Sequence, residues 1–182
     1  MYLTTAQLDA GLDAVRQSPK DAGELQLIVR RPRTDERETL EEGQLDLVEG
    51  LVGDTWRFRA SSRSADKKSP HPDMQLTVMN ARAAALVAQH PARWTLAGDQ
   101  LYVDLDLSGA NLPAGTRLGV GTAVIEVSAQ PHTGCGKFVE RFGLDAMKFV
   151  NSPAGRALNL RGINARVVQA GAIRRGDIVR KL

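Results

Sequence analysis

The sequence contains a single cysteine, Cys135, among 182 residues. An intramolecular disulfide framework is therefore excluded, and so is a cysteine-rich zinc site. Aromatic residues make up only 4% of the chain, which argues against a platform for stacking nucleic-acid bases. No apolar run approaches the ~20 residues that a membrane helix needs, and the first residues lack the basic and apolar regions of a secretory signal. We therefore expect a cytoplasmic protein without a membrane partner.

Charge and composition are otherwise those of an ordinary globular domain. Lys and Arg number 24 against 21 Asp and Glu, and the resulting net charge of +3 is too small by itself to indicate a nucleic-acid partner. Hydrophobic residues make up 42% of the chain, and its length suits one domain with its own core. We expect residues 1–182 to form a single domain.

Short strands joined by tight turns dominate the hydrophobic pattern. Alternating apolar residues predict strands at residues 25–30, 75–79, 101–107, 116–120, 123–128, 163–168 and 172–179. Gly121-Thr122 joins two of them as a hairpin, and residues 169–171 are expected to join the last two as a closing hairpin. Tight turns favour antiparallel pairing, so the expected fold class is mainly β with short helices (α+β), a mostly antiparallel barrel.

A few helices and one long polar loop complete the pattern. Helices are predicted over residues 5–17, 81–89, 136–142 and 144–150, and after Ser152-Pro153. Asn80 is the expected N-cap of the second helix, and Thr133 that of the third. Residues 59–73 form a polar loop whose basic side chains are expected either to cover an anionic ligand or simply to be exposed.

The strongest candidate for chemistry is the segment Gln130-Pro131-His132-Thr133-Gly134-Cys135-Gly136-Lys137-Phe138. It follows a strand and opens a short helix, whose positive end favours an anion at Cys135. His132 and Lys137 lie close in sequence, and all three effects favour the thiolate, which attacks sulfur and binds metals. The alternative is a buried cysteine acting as a small hydrophobe. A zinc site with His132 lacks a second ligand pair.

Arginines are frequent towards the end of the chain, where guanidinium groups suit phosphate or carboxylate ligands. They are Arg156, Arg161, Arg166, Arg174 and Arg175. Arg161 stands out because Gly162 follows it and allows a close turn beside a charged group. The alternative for each is a position on a solvated strand face.

Three motifs in this order resemble the MOSC domain, named for the C-terminal domain of molybdenum cofactor sulfurase. They are Leu112-Pro113-Ala114-Gly115-Thr116-Arg117-Leu118, Gln130-Pro131-His132-Thr133-Gly134-Cys135 and Arg161-Gly162-Ile163-Asn164-Ala165-Arg166-Val167. The resemblance is strongest over residues 96–182. Upstream, Gly53-Asp54 and residues 75–80 fall in the family's order.

The resemblance implies a β-barrel with small helices around a pocket. It makes Cys135 the catalytic residue and the ligand of molybdenum, if that metal is bound. The residues expected to bind the molybdenum cofactor are Lys137, Arg161, Arg166, Asn80 and Thr133.

Three functions follow from these observations. The first is reduction of N-hydroxylated small molecules at the molybdenum cofactor, with electrons from a partner reductase. The second is sulfur transfer, in which Cys135 takes persulfide sulfur from a pyridoxal-phosphate desulfurase, so that pyridoxal phosphate enters only through the partner. The third is a non-catalytic domain that binds a small anion.

Overall fold

The computed structural model of the chain describes residues 2–182. The strands are β1 (Ala22–Arg30), β2 (Glu38–Leu40), β3 (Glu42–Asp46), β4 (Gly50–Leu51), β5 (Leu76–Asn80), β6 (Leu101–Val103), β7 (Arg117–Val120), β8 (Ala123–Val127), β9 (Ile163–Gln169), β10 (Gly171–Arg174) and β11 (Ile178–Lys181). The helices are α1 (Thr5–Ala10), α2 (Leu12–Arg16), α3 (Ala81–Ala88), α4 (Gly136–Phe142), α5 (Leu144–Asn151) and α6 (Pro153–Ala157). Short 3-10 helices lie at Thr55–Phe58, Pro72–Met74 and Pro91–Ala97.

Seven strands close into a barrel in the order β1-β11-β7-β8-β9-β5-β6 and back to β1. Neighbouring strands are antiparallel except β5 and β6, which run parallel. The strand β2 extends the barrel sheet beside β1, and β10, β3 and β4 form a separate small sheet. The predicted class, a mainly β and mostly antiparallel barrel with short helices, is confirmed.

Successive residues of the strands face two different cores. Val78 and Leu101 point into the barrel, whereas Met79 and Tyr102 point outwards and pack against the helices. This period of two is what a strand with both faces buried produces. Each fully buried aliphatic side chain contributes roughly 1.5–3 kcal/mol, so the helices are anchored to the barrel wall and not only to the chain.

Several local predictions are confirmed. Gly121-Thr122 connects β7 and β8 as a hairpin, with Val120 opposite Ala123. The side chain of Asn80 caps α3 by accepting a hydrogen bond from the Ala83 N–H at 3.0 Å. The side chain of Ser152 caps α6 in the same way, through the Gly155 N–H at 3.0 Å.

The predicted closing hairpin is wrong. The strand β9 pairs with β8 and β5, β10 pairs with β3, and β11 pairs with β1 and β7. Alternating hydrophobicity defines which residues face inwards but carries no information on the partner strand. Two lengths also differ: Gly11 divides the predicted helix 5–17 into α1 and α2, and the strand predicted to reach residue 107 ends at Val103.

Between residues 2 and 182, no helix has both the length and the apolar character that crossing a membrane requires.

Candidate functional site

Two adjoining cavities open beside the loop that carries the cysteine. The larger, here the thiol cavity, has a volume of about 550 Å³ and is bordered by Cys135, Lys137 and Arg161. The smaller, here the loop cavity, has a volume of about 370 Å³ and is bordered by the polar loop after residue 58. Arg31, Arg59, Ala60, Thr77 and His132 border both cavities, so the two form one cleft narrowed by these side chains.

Cys135 is exposed and is the N-cap residue of α4, without a side-chain capping bond of its own. The helix is fixed beneath it because Phe138 and Phe142 are buried, with their ring centroids 4.9 Å apart. Asn151 holds the preceding turn, since its side chain accepts from the Gly134 N–H at 2.9 Å and donates to the Gly134 carbonyl at 3.1 Å. The thiol therefore stands on a braced loop, and the alternative of a buried hydrophobic cysteine is wrong.

Arg161 is 7% exposed and lies at the back of the thiol cavity. Its Nη1 donates to Asp99 Oδ2 at 2.6 Å, and its Nη2 donates to the Ala97 carbonyl at 2.8 Å. The guanidinium also lies over the Phe138 ring, 5.1 Å from the centroid. The predicted close turn is present, because Gly162 has φ +100° and a Cβ there would lie 2.4 Å from the Val78 carbonyl oxygen.

His132 lies between the two cavities with its Nδ1 turned towards Asp99. The Nδ1–Oδ1 distance is 3.4 Å, and neither atom has a hydrogen-bond partner. Burial, and then the positive charges of Arg161, Arg31 and Arg63, hold the pKa of His132 well below its usual range. The imidazole is therefore neutral at pH 7, and the expectation that His132 adds positive charge beside Cys135 is not met.

Arg31 follows the end of β1 and borders the cleft, and the sequence pattern did not single it out. Its Nε and Nη2 each donate to the buried carboxylate of Asp54 at 2.8 Å, and its backbone N–H donates to the same group at 2.9 Å. Asp54 also accepts from the Trp56 N–H at 2.8 Å. The Gly53-Asp54 pair, which falls in the order of the resembling family, was the available signal for this anchor.

The thiol cavity has more positive charge than its carboxylates balance. Lys137 Nζ and Arg141 Nη2 share Oδ1 of Asp35, at 3.1 and 3.4 Å. Arg37 and Arg59 border the same cavity, and neither has a carboxylate within ion-pair distance among residues 2–182.

Burial and the crowding of these cations lower the pKa values of Arg37 and Arg59. Burial, and then the neighbouring Arg141 and Arg31, lower the pKa of Arg37. Burial, and then Arg31, lower the pKa of Arg59. Cations that lower one another's pKa are relieved by a bound anion, so the cleft suits a negatively charged ligand.

The structure brings Cys135, Lys137 and Arg161 together but separates the other predicted site residues from them. Arg166 lies on the outer face of β9, where its Nη2 is 2.7 Å from Glu126 Oε1, and it borders a different depression. Asn80 is buried and donates to Ser18 and to the Leu105 carbonyl besides capping α3. Thr133 borders the loop cavity and is not the predicted cap, because Cys135 is the N-cap of α4.

No cluster of three or more His, Cys, Asp or Glu side chains that could hold a metal ion occurs in the described range 2–182.

No protein-family model and no curated protein matches this sequence. Among solved structures, the YuaD protein from Bacillus subtilis is similar with a TM-score of 0.64 at 18% identity, covering 87% of this chain and 94% of that one. YiiM from Escherichia coli is similar with a TM-score of 0.56 at 19% identity, covering 87% and 69%. Since YuaD and YiiM are MOSC-domain proteins, the chain has the fold seen in that family.

Proposed function

We propose that residues 1–182 are a single MOSC-like domain that binds the molybdenum cofactor in the thiol cavity. In this proposal the protein is cytoplasmic and reduces N-hydroxylated small molecules with electrons from a partner reductase. The observation that carries the proposal is the opening of an exposed thiol, Cys135, into a cavity whose guanidinium groups outnumber its carboxylates.

The donor set of the cavity fits such a cofactor. A phosphate-bearing pterin is an anion, and Arg37 and Arg59 are cations without carboxylate partners among the residues described above. The Nε of Arg37 is buried without a hydrogen-bond partner, and so is the Nε of Arg161. Guanidinium groups suit phosphate oxygens because they offer several N–H donors in a fixed plane.

When bound, the cofactor would supply two-electron redox chemistry at molybdenum. The chain's own residues would bind and orient it. Cys135 would provide the sulfur ligand, and Arg37, Lys137 and Arg141 would bind the anionic group. Buried Arg161 is held in the cavity wall by its hydrogen bond to Asp99.

The test is analysis of molybdenum and pterin in protein purified from a host that makes the cofactor. We expect both in the wild type, loss of molybdenum in Cys135→Ser, and reduced pterin in Arg37→Gln. Arg33→Gln is the matched control, because Arg33 pairs with Glu36 on the surface. Arg166→Gln should behave like this control, since its side chain lies outside the cleft. Persistent absence of molybdenum and pterin from the wild type refutes the proposal.

The exposure of Cys135 favours sulfur transfer as a second candidate. A thiolate that accepts persulfide sulfur must be accessible to a donor protein, and Gly136 has open space at its Cβ position. Incubation with a pyridoxal-phosphate desulfurase and cysteine should then add the mass of one sulfur atom at Cys135. An unchanged mass removes this candidate, and with molybdenum also absent, the anion-binding domain is the function left.

A further inference from the structure

We propose that the loop cavity binds the organic part of the substrate and selects small molecules that combine a carboxylate or phosphate with an N–H or O–H donor. This inference rests on the proposed function, because it assigns the thiol cavity to the cofactor. It adds a substrate class, anionic rather than neutral or cationic, and the residues that select it.

Two arginines supply the preference for an anion. Arg59 lies where the two cavities meet, and its guanidinium makes neither an ion pair nor a hydrogen bond within residues 2–182. Arg63 borders the loop cavity and uses Nη1 to donate to the Pro131 carbonyl at 2.9 Å. No Asp or Glu borders this cavity within residues 2–182. A ligand anion would therefore meet guanidinium groups whose charges no carboxylate neutralises.

A buried amide oxygen supplies the preference for a donor. Asn164 is 0% exposed and borders the loop cavity, and its Nδ2 donates to the Gln130 carbonyl at 3.0 Å. That bond fixes the amide, yet its Oδ1 is buried without a hydrogen-bond partner. A buried acceptor without a partner carries a desolvation cost. An N–H or O–H group of a ligand would remove this cost.

One part of the wall is suited to an apolar body, although Ser61, Ser62 and His71 also line the cavity. Trp56, Met74 and Pro131 border the cavity, together with Thr133. At about 370 Å³ the cavity lies near the lower limit of ordinary small-molecule sites, which indicates a compact ligand.

The position of the loop cavity sets the direction of the substrate. His132, Arg31 and Thr77 border both cavities, so a molecule held among Arg59, Arg63 and Asn164 lies directly beside the thiol cavity. Its charged end would stay in the loop cavity, its N–H would donate to Asn164 Oδ1, and its hydroxyl oxygen would point towards Cys135. The anionic group thus acts as a handle at some distance from the reacting atoms.

Calorimetric titration with matched hydroxamic acids tests this arrangement without requiring turnover. Benzohydroxamic acid is compared with its 4-carboxy and 4-phosphono derivatives on protein purified from a host that makes the cofactor. We expect at least one charged derivative to bind about ten-fold more tightly than the neutral parent. Arg59→Gln and Arg63→Gln should each reduce this preference, and Asn164→Ala should weaken all three ligands alike.

Arg57→Gln is the matched control, because Arg57 lies two residues from Arg59 but pairs with Glu49 at 2.7 Å and does not border the cavity. Equal affinity for the three ligands refutes the inference, and so does a preference that both cavity variants leave intact. Molybdenum content is measured separately. Charge-selective binding in protein that never acquires molybdenum refutes only the proposed function, whereas cofactor-loaded protein without this selectivity refutes only the inference.

Discussion

Replacement of Asp54 by Asn should lower the free energy of unfolding far more than the similar size of the two side chains suggests. The Asp54 side chain is completely buried and accepts hydrogen bonds from three N–H groups of Arg31 and from the Trp56 N–H. The Asn amide would keep the shape of the side chain but lose its charge, and the amide NH2 group would face N–H donors of Arg31 or Trp56. Breaking a buried ion pair on one side costs about 3–5 kcal/mol, because the remaining charge is left without compensation.

The matched control is Glu38→Gln. Glu38 accepts from Nε and Nη2 of Arg30, the residue before Arg31. Both side chains are partly exposed, Arg30 at 31% and Glu38 at 46%. Exposed pairs of this kind contribute about 0–1 kcal/mol. The two arginines are neighbours in the chain and their contacts have similar lengths. The difference between the two stability losses therefore measures the effect of burying the ion pair.

Both variants should be measured by urea denaturation. A shift of the midpoint at an unchanged m-value then reports the change in the free energy of unfolding. For a domain of this size each kcal/mol corresponds to about 2–4 °C in the unfolding temperature, so Asp54→Asn should melt roughly 6–20 °C lower. A loss within about 1 kcal/mol of that in Glu38→Gln would refute the claim that this buried pair anchors Arg31 in the cleft.

Two further predictions concern His132 and Gly162. Because the folded pKa of His132 is lowered, the unfolded chain binds a proton there first, so stability falls as pH drops below about 6.5, by up to ~1.4 kcal/mol per pH unit. His132→Asn should flatten this decline in denaturation curves between pH 7.5 and 5, and equal slopes would contradict it. Gly162→Ala should lose about 1–3 kcal/mol from the backbone conformation alone, measured by thermal unfolding. Gly136→Ala, with open space at its Cβ, should be neutral or slightly stabilising, and similar losses in both would contradict the role of the close turn.

The barrel strands were predictable from sequence because buried side chains that face the barrel interior alternate with less buried side chains on the outer face, as in β8 and β9. The same rule would have separated the two arginines of the third motif. Ala165 and Val167 point inwards, so Arg166 between them must point outwards, whereas Arg161 precedes the strand and turns into the cleft. Predicting both as cofactor ligands followed their chemistry and ignored their position.

The rest of the cleft could not be read from the sequence because it forms where distant segments meet. Arg31, Arg59 and His132 come from a strand end, a loop and the cysteine turn, and no local pattern relates them. Burial of Asp99 behind His132 is likewise a tertiary property. The cysteine turn itself was predictable, since a single thiol between two glycines at a helix start is a local feature.

The pairing of β1 with β11 has a consequence for how the chain acquires its fold. Ala22 lies opposite Arg180, so one partner strand of β1 is synthesised more than 150 residues after it. During synthesis the nascent barrel therefore keeps an open seam until Ile178–Lys181 leave the ribosome. Pairing of such distant segments slows folding, because the chain between them loses entropy before the contacts of β1 with β11 can form. Deletion of Ile178–Lys181 would leave β1 and β7 as unpaired edges of an open barrel, and unpaired edge strands promote association with other chains.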